Sequence, residues 1–483
     1  MPSVADIILS NLPHVPTEGQ RAACDEMVRF LFDNDPSSAF ILKGYAGTGK
    51  TSLVSALIKT APKLKIRTVL LAPTGRAAKV LSGFSGRKAY TIHKKIYISV
   101  TDSSGIMRSV RAQNKYSYTL FIVDEASMIS AVPEDGGYVG RHSLLEDLID
   151  FVYDGSHCRL MLIGDGAQLP PVGSSESPAL SPDFLHNFAD LNVHSAELVE
   201  VVRQLSDSGI LSNATAIRHK IAAFDNADDI PLPLFNANPK GDVCRLHGAD
   251  LEEALNVEYG NFGQEGVAVI CRSNKRANLY NQAIRNRILF RDDEVGTGDF
   301  LMVVKNNYHW LDENSDMGFI ANGDIVEVLS ARHYEELYGF HFVDVSLRFV
   351  DYPDMPDVDC KLLLETLHSE SPSLTRDESM RLFNEVLADY VDLPTRAEQL
   401  NAVRNNEYFN ALQVKFAYSL TCHKTQGGQW PVVFVEQGYL SDDMIDRDYL
   451  RWIYTALTRA SHKVYLLNFE DKFFGAGDNI FDN

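Results

Sequence analysis

Four short apolar runs pace the first part of the chain: Ala39-Phe40-Ile41-Leu42, Val69-Leu70-Leu71-Ala72, Leu120-Phe121-Ile122-Val123 and Leu160-Met161-Leu162-Ile163. They are continuous rather than alternating, the pattern of strands covered on both faces in a parallel sheet. Helical spacing appears between them. Residues 20–32 form one such stretch, with Thr17 as its N-cap, and Ser52-Leu53-Val54-Ser55-Ala56-Leu57-Ile58 forms another directly after the first strand. Strand alternating with helix predicts an α/β unit.

Val267-Ala268-Val269-Ile270-Cys271 and the helical pattern of residues 275–288 start a second unit of the same kind. It pauses at about Thr297 and resumes at Phe416, with the strand Val432-Val433-Phe434-Val435 beyond. Between those points the pattern changes to short alternating segments, among them Phe300-Leu301-Met302-Val303-Val304, Ile325-Val326-Glu327-Val328 and His341-Phe342-Val343-Asp344-Val345. A mostly β insert over 297–413 is expected, a small barrel with a helical stretch at 374–390. A lesser excursion at 96–118 has β-branched and aromatic residues on either side of Thr101-Asp102-Ser103-Ser104-Gly105, and reads as a hairpin.

The turns at the strand ends carry the candidate chemistry. Gly44-Tyr45-Ala46-Gly47-Thr48-Gly49-Lys50-Thr51 fits G-x-x-x-x-G-K-[ST] between a strand and a helix, where small residues let backbone N–H groups wrap a polyphosphate. Lys50 would reach the β- and γ-phosphates, and Thr51 would hold Mg²⁺. Asp124 and Glu125, at the end of the third strand, suit a second Mg²⁺ ligand and a group that orients the attacking water. Gln168, in the turn after the fourth strand, could report on the γ-phosphate. Gln20, upstream of the phosphate loop, could pair with an adenine edge. Either amide alone is an ordinary polar residue; the surrounding motifs give it weight.

The chain has 483 residues, 45% hydrophobic and 23% charged, which admits two to four globular domains. No run reaches the ~18 apolar residues of a membrane span, and the start lacks the basic-then-apolar order of a secretion signal, so a cytoplasmic chain is expected. Six scattered cysteines without a C-x-x-C pair point to neither zinc nor disulfides. A net charge of -20 argues against nucleic acid, but its distribution reverses the inference. From Ile41 to Tyr118 there are fifteen Lys or Arg and one acid, Asp102, leaving +14 there and −34 on the rest. That segment is either a polyanion track beside the phosphate loop or a basic face paired with acids such as Glu134, Asp135, Glu146 and Asp147. Within it, Thr74 and Arg76, then Thr91 and His93, offer hydroxyl and basic groups suited to the backbone of a single strand.

Taken in order, Gln20, residues 44–51, Ala72-Pro73-Thr74-Gly75-Arg76-Ala77-Ala78, Asp124-Glu125-Ala126-Ser127, Gly164-Asp165 with Gln168-Leu169-Pro170, Arg203-Gln204, His423-Lys424-Thr425-Gln426-Gly427 and Tyr454-Thr455-Ala456-Leu457-Thr458-Arg459 resemble the motifs of superfamily 1 DNA helicases, in the RecD and Dda branch. The resemblance implies two RecA-like domains, 1–200 and 201–296 with 414–483, clamping ATP and Mg²⁺. It also implies a hairpin insert at about 95–118, an SH3-like insert at 297–413, and 5′-to-3′ movement of a monomer on single-stranded DNA up to duplex junctions. Single-strand-binding, replication or repair proteins are the implied partners. Carried over residue by residue, the nucleotide contacts are Gln20, Gly44, Ala46, Gly47, Thr48, Gly49, Lys50, Thr51, Gln426 and Gly427, with Arg203 and Arg459 reaching the γ-phosphate across the cleft. The strand track is Pro73, Thr74, Arg76, Thr91 and His93 in the first half, with Lys305, Asn307, His423 and Lys424 in the second. Ile106 and Met107, directly after the hairpin turn, are the expected strand-separating wedge. A translocase without efficient unwinding, RNA as the track, and a nucleotide-gated recombination accessory are the alternatives. A likeness to the compact phage-type helicases rather than to long RecD-type proteins is expected, and the hairpin turn Thr101-Asp102-Ser103-Ser104-Gly105 has no aromatic where some relatives carry one at the tip.

Overall fold

In the computed structural model, which describes residues 3–101, 107–133, 142–202, 208–224, 232–311 and 319–475, the first α/β unit is a wholly parallel six-stranded sheet with a hairpin set into it. In chain order the strands are β1 (Ser38–Gly44), β2 (Arg67–Ala72), β3 (Ala89–Thr91), the hairpin strands β4 (Tyr97–Thr101) and β5 (Met107–Arg111), then β6 (Thr119–Val123), β7 (Arg159–Gly164) and β8 (Asn192–Leu198). The sheet order is β3-β2-β6-β7-β1-β8. All residues of β6 are buried, as a continuous apolar run demands. The four runs read from the sequence are the four inner strands. The edges, β3 and β8, are short or polar and carry no such signal. Thr17 caps the helix Glu18–Leu31 as expected, in a capping box closed by Gln20.

The second unit has β9 (Val243–Leu246) and β10 (Val267–Cys271), then the barrel strands β11 (Phe300–Val303), β12 (Ile325–Leu337), β13 (Phe340–Phe349), β14 (Val358–Leu363) and β15 (Leu412–Phe416), and returns through β16 (Ser419–Thr421), β17 (Trp430–Glu436) and β18 (Ala460–Leu467). Its five-stranded sheet, β16-β10-β17-β18-β9, is parallel throughout. Strands β11 to β15 close into a barrel. The helical stretch expected at 374–390 is the helix Arg376–Ala388, followed by a second, Arg396–Asn405; Leu382, Val386 and Val403 of this pair cover Phe340 and Phe342.

A buried charge cluster fastens the barrel to the second sheet. Arg285 Nε and Nη2 donate to the two oxygens of Asp299 at 3.1 and 2.9 Å, Arg291 Nη1 donates at 2.6 Å, and the Tyr418 hydroxyl donates at 2.9 Å. The barrel also touches the first unit, where Lys79 Nζ donates to the Val350 carbonyl at 3.2 Å and faces Asp351 at 3.5 Å. The hairpin is held down by acids of the neighbouring helix. Tyr97 donates to Asp147 at 2.7 Å, and Arg111 lies 3.9 Å from Asp147 and 3.5 Å from Asp150. Part of the basic segment is thus paired internally; Glu134 and Asp135 lie outside the described residues. Among the described residues no helix is long and apolar enough to cross a membrane.

Candidate functional site

The turn after β1 and the turns after β6 and β7 open on one edge of the first sheet, where the carboxyl ends of parallel strands place ligand groups. Gly47 and Gly49 take φ of 75° and 79°, and a Cβ on Gly49 would stand 2.5 Å from Gln20 Nε2, so this turn needs glycine. Lys50 begins the helix Lys50–Thr60, and its Nζ donates to the carbonyls of Gly44 and, at 3.0 Å, Tyr45. A cavity of about 590 Å³ is lined by Ala46, Gly47, Gly49, Lys50, Thr51, Asp124, Glu125, Asp165, Gln168 and Arg459. Tertiary structure therefore brings the loop, the carboxylate pair, the amide and an arginine from the second unit to one place.

The Asp124 carboxyl is raised above the usual carboxylate range by burial and then by the Glu125 charge, with Lys50 pulling the other way. Glu125 sits in the left-handed region at φ 52°, a conformation unusual for a side chain of this kind. Gln168 Oε1, on the wall of that cavity, is buried without a hydrogen-bond partner among the described residues. Arg459 is buried, with Nε donating to Thr455 O at 3.1 Å, Nη1 to Gly428 O at 3.2 Å and Nη2 to Thr458 Oγ1 at 3.2 Å. A magnesium ion keeps several waters and takes one or two protein oxygens beside phosphate. The Thr51 hydroxyl and the Asp124 carboxylate, both on the cavity wall, fit that requirement.

Gln20 is placed differently from the expected adenine contact. It is fully buried, its Nε2 donates to Thr48 O at 3.2 Å, and its Oε1 accepts from Thr17 N at 3.2 Å and faces His14 Nε2 at 3.3 Å. Its amide braces the phosphate loop from beneath. Gln426 and Gly427 also stand apart from the cavity: Gln426 Nε2 donates to Leu169 O at 2.8 Å, and Gly427 packs on Ala77. Arg203 and Ile106 lie outside the described residues, as do turn residues 102–105. Met107 is in β5, paired with Thr101.

A second concavity, about 500 Å³, runs between the sheets and the barrel and is lined by Pro73, Thr74, Thr91, His93, His423, Lys424 and Gln426. The Thr74 hydroxyl caps the helix Gly75–Ser85 at this groove, leaving N–H groups suited to phosphate. Lys424 Nζ is buried without a hydrogen-bond partner among the described residues, and burial pushes its ammonium down to about 8. Burial likewise pushes His93 down to about 4 and lowers His423. Two expected track residues are engaged otherwise, and a third lies off the groove. Arg76 lies over the Trp430 ring and donates to Gln429 O at 3.2 Å. Asn307 Nδ2 donates to Asn410 O at 2.8 Å while its Oδ1 accepts from His309 N at 3.0 Å. Lys305 is exposed and is not on the groove wall. In their place the barrel contributes Asn306 and Phe319, and the turn after β7 contributes Val172. No local pattern marks these three, because their position depends on how the barrel seats against the first sheet.

Residues 16–229 match the family model of an AAA domain, and residues 416–467 that of a UvrD-like helicase C-terminal domain. The chain is 26% identical over 472 residues, 96% of its length, to the ATP-dependent RecD2 DNA helicase of Deinococcus radiodurans, and spans about half, 50%, of that protein. It is 26% identical over 328 residues to the ATP-dependent DNA helicase dda of Enterobacteria phage T4, covering 66% of this chain and 68% of that one. A solved Pif1 helicase from Bacteroides in complex with ADP-AlF3 and ssDNA aligns over 95% of this chain and 94% of its own at 14% identity, with a TM-score of 0.46. The chain thus carries an AAA-domain match followed by a UvrD-like helicase C-terminal match, and along nearly its whole length it is similar to an ATP-dependent DNA helicase.

Proposed function

We propose that this chain is an ATP-dependent DNA helicase that moves 5′ to 3′ along single-stranded DNA and unwinds the duplex ahead of it. The observation that carries the reading is the pairing of two sites. Lys50, Thr51, Asp124, Glu125 and Arg459 share one cavity between the sheets, and a separate groove draws Thr74, Thr91 and His93 from the first sheet and His423 and Lys424 from the second. Polarity follows from the resemblance to the RecD and Dda branch, and relatives of this chain are ATP-dependent DNA helicases.

On this reading residues 1–200 form the first RecA-like domain, with the hairpin at about 95–118. Residues 201–296 with 414–483 form the second, and the barrel of 297–413 is the SH3-like insert. The Lys50 ammonium meets the β- and γ-phosphates, Thr51 and Asp124 hold Mg²⁺, Glu125 orients the attacking water, and Gln168 senses the γ-phosphate. Arg459, with Arg203, supplies positive charge from the second domain as charge develops on the phosphoryl group. Because the groove is built from both sheets, a change in closure at the nucleotide shifts the His423 and Lys424 contacts relative to those of Thr74 and Thr91. Alternating grip on the strand then becomes movement.

A fluorescence unwinding assay with 5′-tailed, 3′-tailed and RNA-tailed substrates tests this, read beside single-strand-stimulated ATP hydrolysis. Release from the 5′-tailed DNA substrate alone is the expected result. Hydrolysis without release would make the chain a translocase, and strand binding without stimulated hydrolysis would make it a nucleotide-gated binding protein. In the same assay the double change Ile106→Ala with Met107→Ala tests the wedge: unwinding should drop while stimulated hydrolysis persists.

A further inference from the structure

The helix Arg447–Leu457 of the second unit reaches across the cleft with two buried hydroxyls, those of Tyr454 and Thr455. Tyr454 Oη accepts the Ala46 N–H of the phosphate loop at 2.9 Å and donates to Asp165 Oδ2 at 2.6 Å. The other Asp165 oxygen accepts the Ala167 N–H at 2.9 Å. The neighbouring Thr455 Oγ1 accepts the Leu169 N–H, also at 2.9 Å. Ala167 and Leu169 flank Gln168, so both sides of that residue are held through this one helix. Arg459 follows two residues after its end.

We propose that Tyr454 is a positioning residue of the hydrolytic step: its hydroxyl sets the phosphate loop and the Gln168 turn in register with Arg459. The inference rests on the proposed function above and adds to it a residue outside the nucleotide contacts expected from the sequence. One hydroxyl serves two elements of the first sheet at once, as donor to one and acceptor from the other, so it defines a single closed arrangement of the cleft. Burial, and then the Asp165 charge, raise the phenol well above its ordinary range, which keeps it a neutral O–H donor at working pH. The ring itself is packed in the apolar cluster with Leu169, Leu450 and Ile453, and that packing does not need the hydroxyl.

Tyr454→Phe therefore removes both bonds and keeps the ring. With saturating single-stranded DNA, its kcat for ATP should fall about tenfold while the KM for ATP stays within about threefold of wild type, since the group acts through others and does not bind nucleotide itself. Asp165→Asn, which has one acceptor oxygen for two donors, should lose a similar factor. The double variant should be no worse than the poorer single one, because both changes break the same link. Melting temperatures report the fold separately, and if Tyr454→Phe does not fold, Asp165→Asn carries the same kcat test. Wild-type kcat in a folded Tyr454→Phe protein overturns the inference, as does a raised KM at unchanged kcat, or additive losses in the double variant. A wild-type chain that hydrolyses no nucleotide with DNA present overturns the proposed function, and this inference with it.

Discussion

The Arg76 guanidinium carbon lies 3.8 Å from the centroid of the Trp430 ring, joining the helix Gly75–Ser85 of the first unit to the start of β17 in the second. A cation over an indole is worth roughly 0.5–2 kcal/mol, depending on its exposure, and this one joins the two units. Arg76→Met should weaken strand binding without altering its salt dependence, because no phosphate contact is lost. Lys424→Ala, which removes a buried ammonium from the groove, should make the slope of log affinity against log salt shallower by about 0.7. Equal slope changes in the two variants would return Arg76 to the strand track.

Arg459→Ala should bind ATP and hydrolyse it some 10³–10⁵ more slowly, the range an arginine finger contributes. Nucleotide titration by fluorescence, together with single-turnover hydrolysis, separates the two quantities. Lost binding with retained turnover at saturation would contradict the assigned role.

Asp324 reports the seating of the barrel through its pH dependence. It is 1% exposed, its Oδ2 accepts the Ala321 N–H at 2.7 Å, and its Oδ1 has no hydrogen-bond partner among the described residues. Burial, with the Asp351 charge adding to it, pushes the carboxyl up to about 7 from an ordinary 3.8. The folded chain thus holds this proton more tightly than the unfolded chain, so stability falls as pH rises between those values, by about 4 kcal/mol at most. Asp324→Asn should remove that component: urea midpoints of variant and wild type should diverge as pH rises from about 4 to about 7 and stay apart above it, with the variant the more stable. Parallel pH profiles would show that Asp324 is ionised in the folded chain without cost.

Asp299 is fully buried and satisfies two arginines and a tyrosine hydroxyl. Asp299→Ala leaves the buried Arg285 charge unpaired and should cost about 3–5 kcal/mol. Chemical denaturation measures this. A loss below about 1 kcal/mol would mean that water reaches Arg285 once the carboxylate is gone.

What the sequence determines by itself is local. A phosphate loop, the Asp124-Glu125 pair and Gln168 are each a strand end followed by a turn, so a few consecutive residues specify both the conformation and the chemistry. The apolar runs that build the inner strands are similarly self-contained, because a strand covered on both faces needs no polar partner to be recognised. The barrel was announced by its change of period, and its second helix, Arg396–Asn405, was not. Tertiary structure decides what side chains with two possible uses do. Gln20, Arg76 and Asn307 all carry groups able to meet a ligand, yet each is spent on another part of the chain: Thr48, Trp430 and Asn410. Tyr454 and Asp165 are 289 residues apart, and neither has a local signal for the other. The free energy of such contacts exists only once the two sheets and the barrel have packed, since burial removes the competing water and leaves one partner within reach.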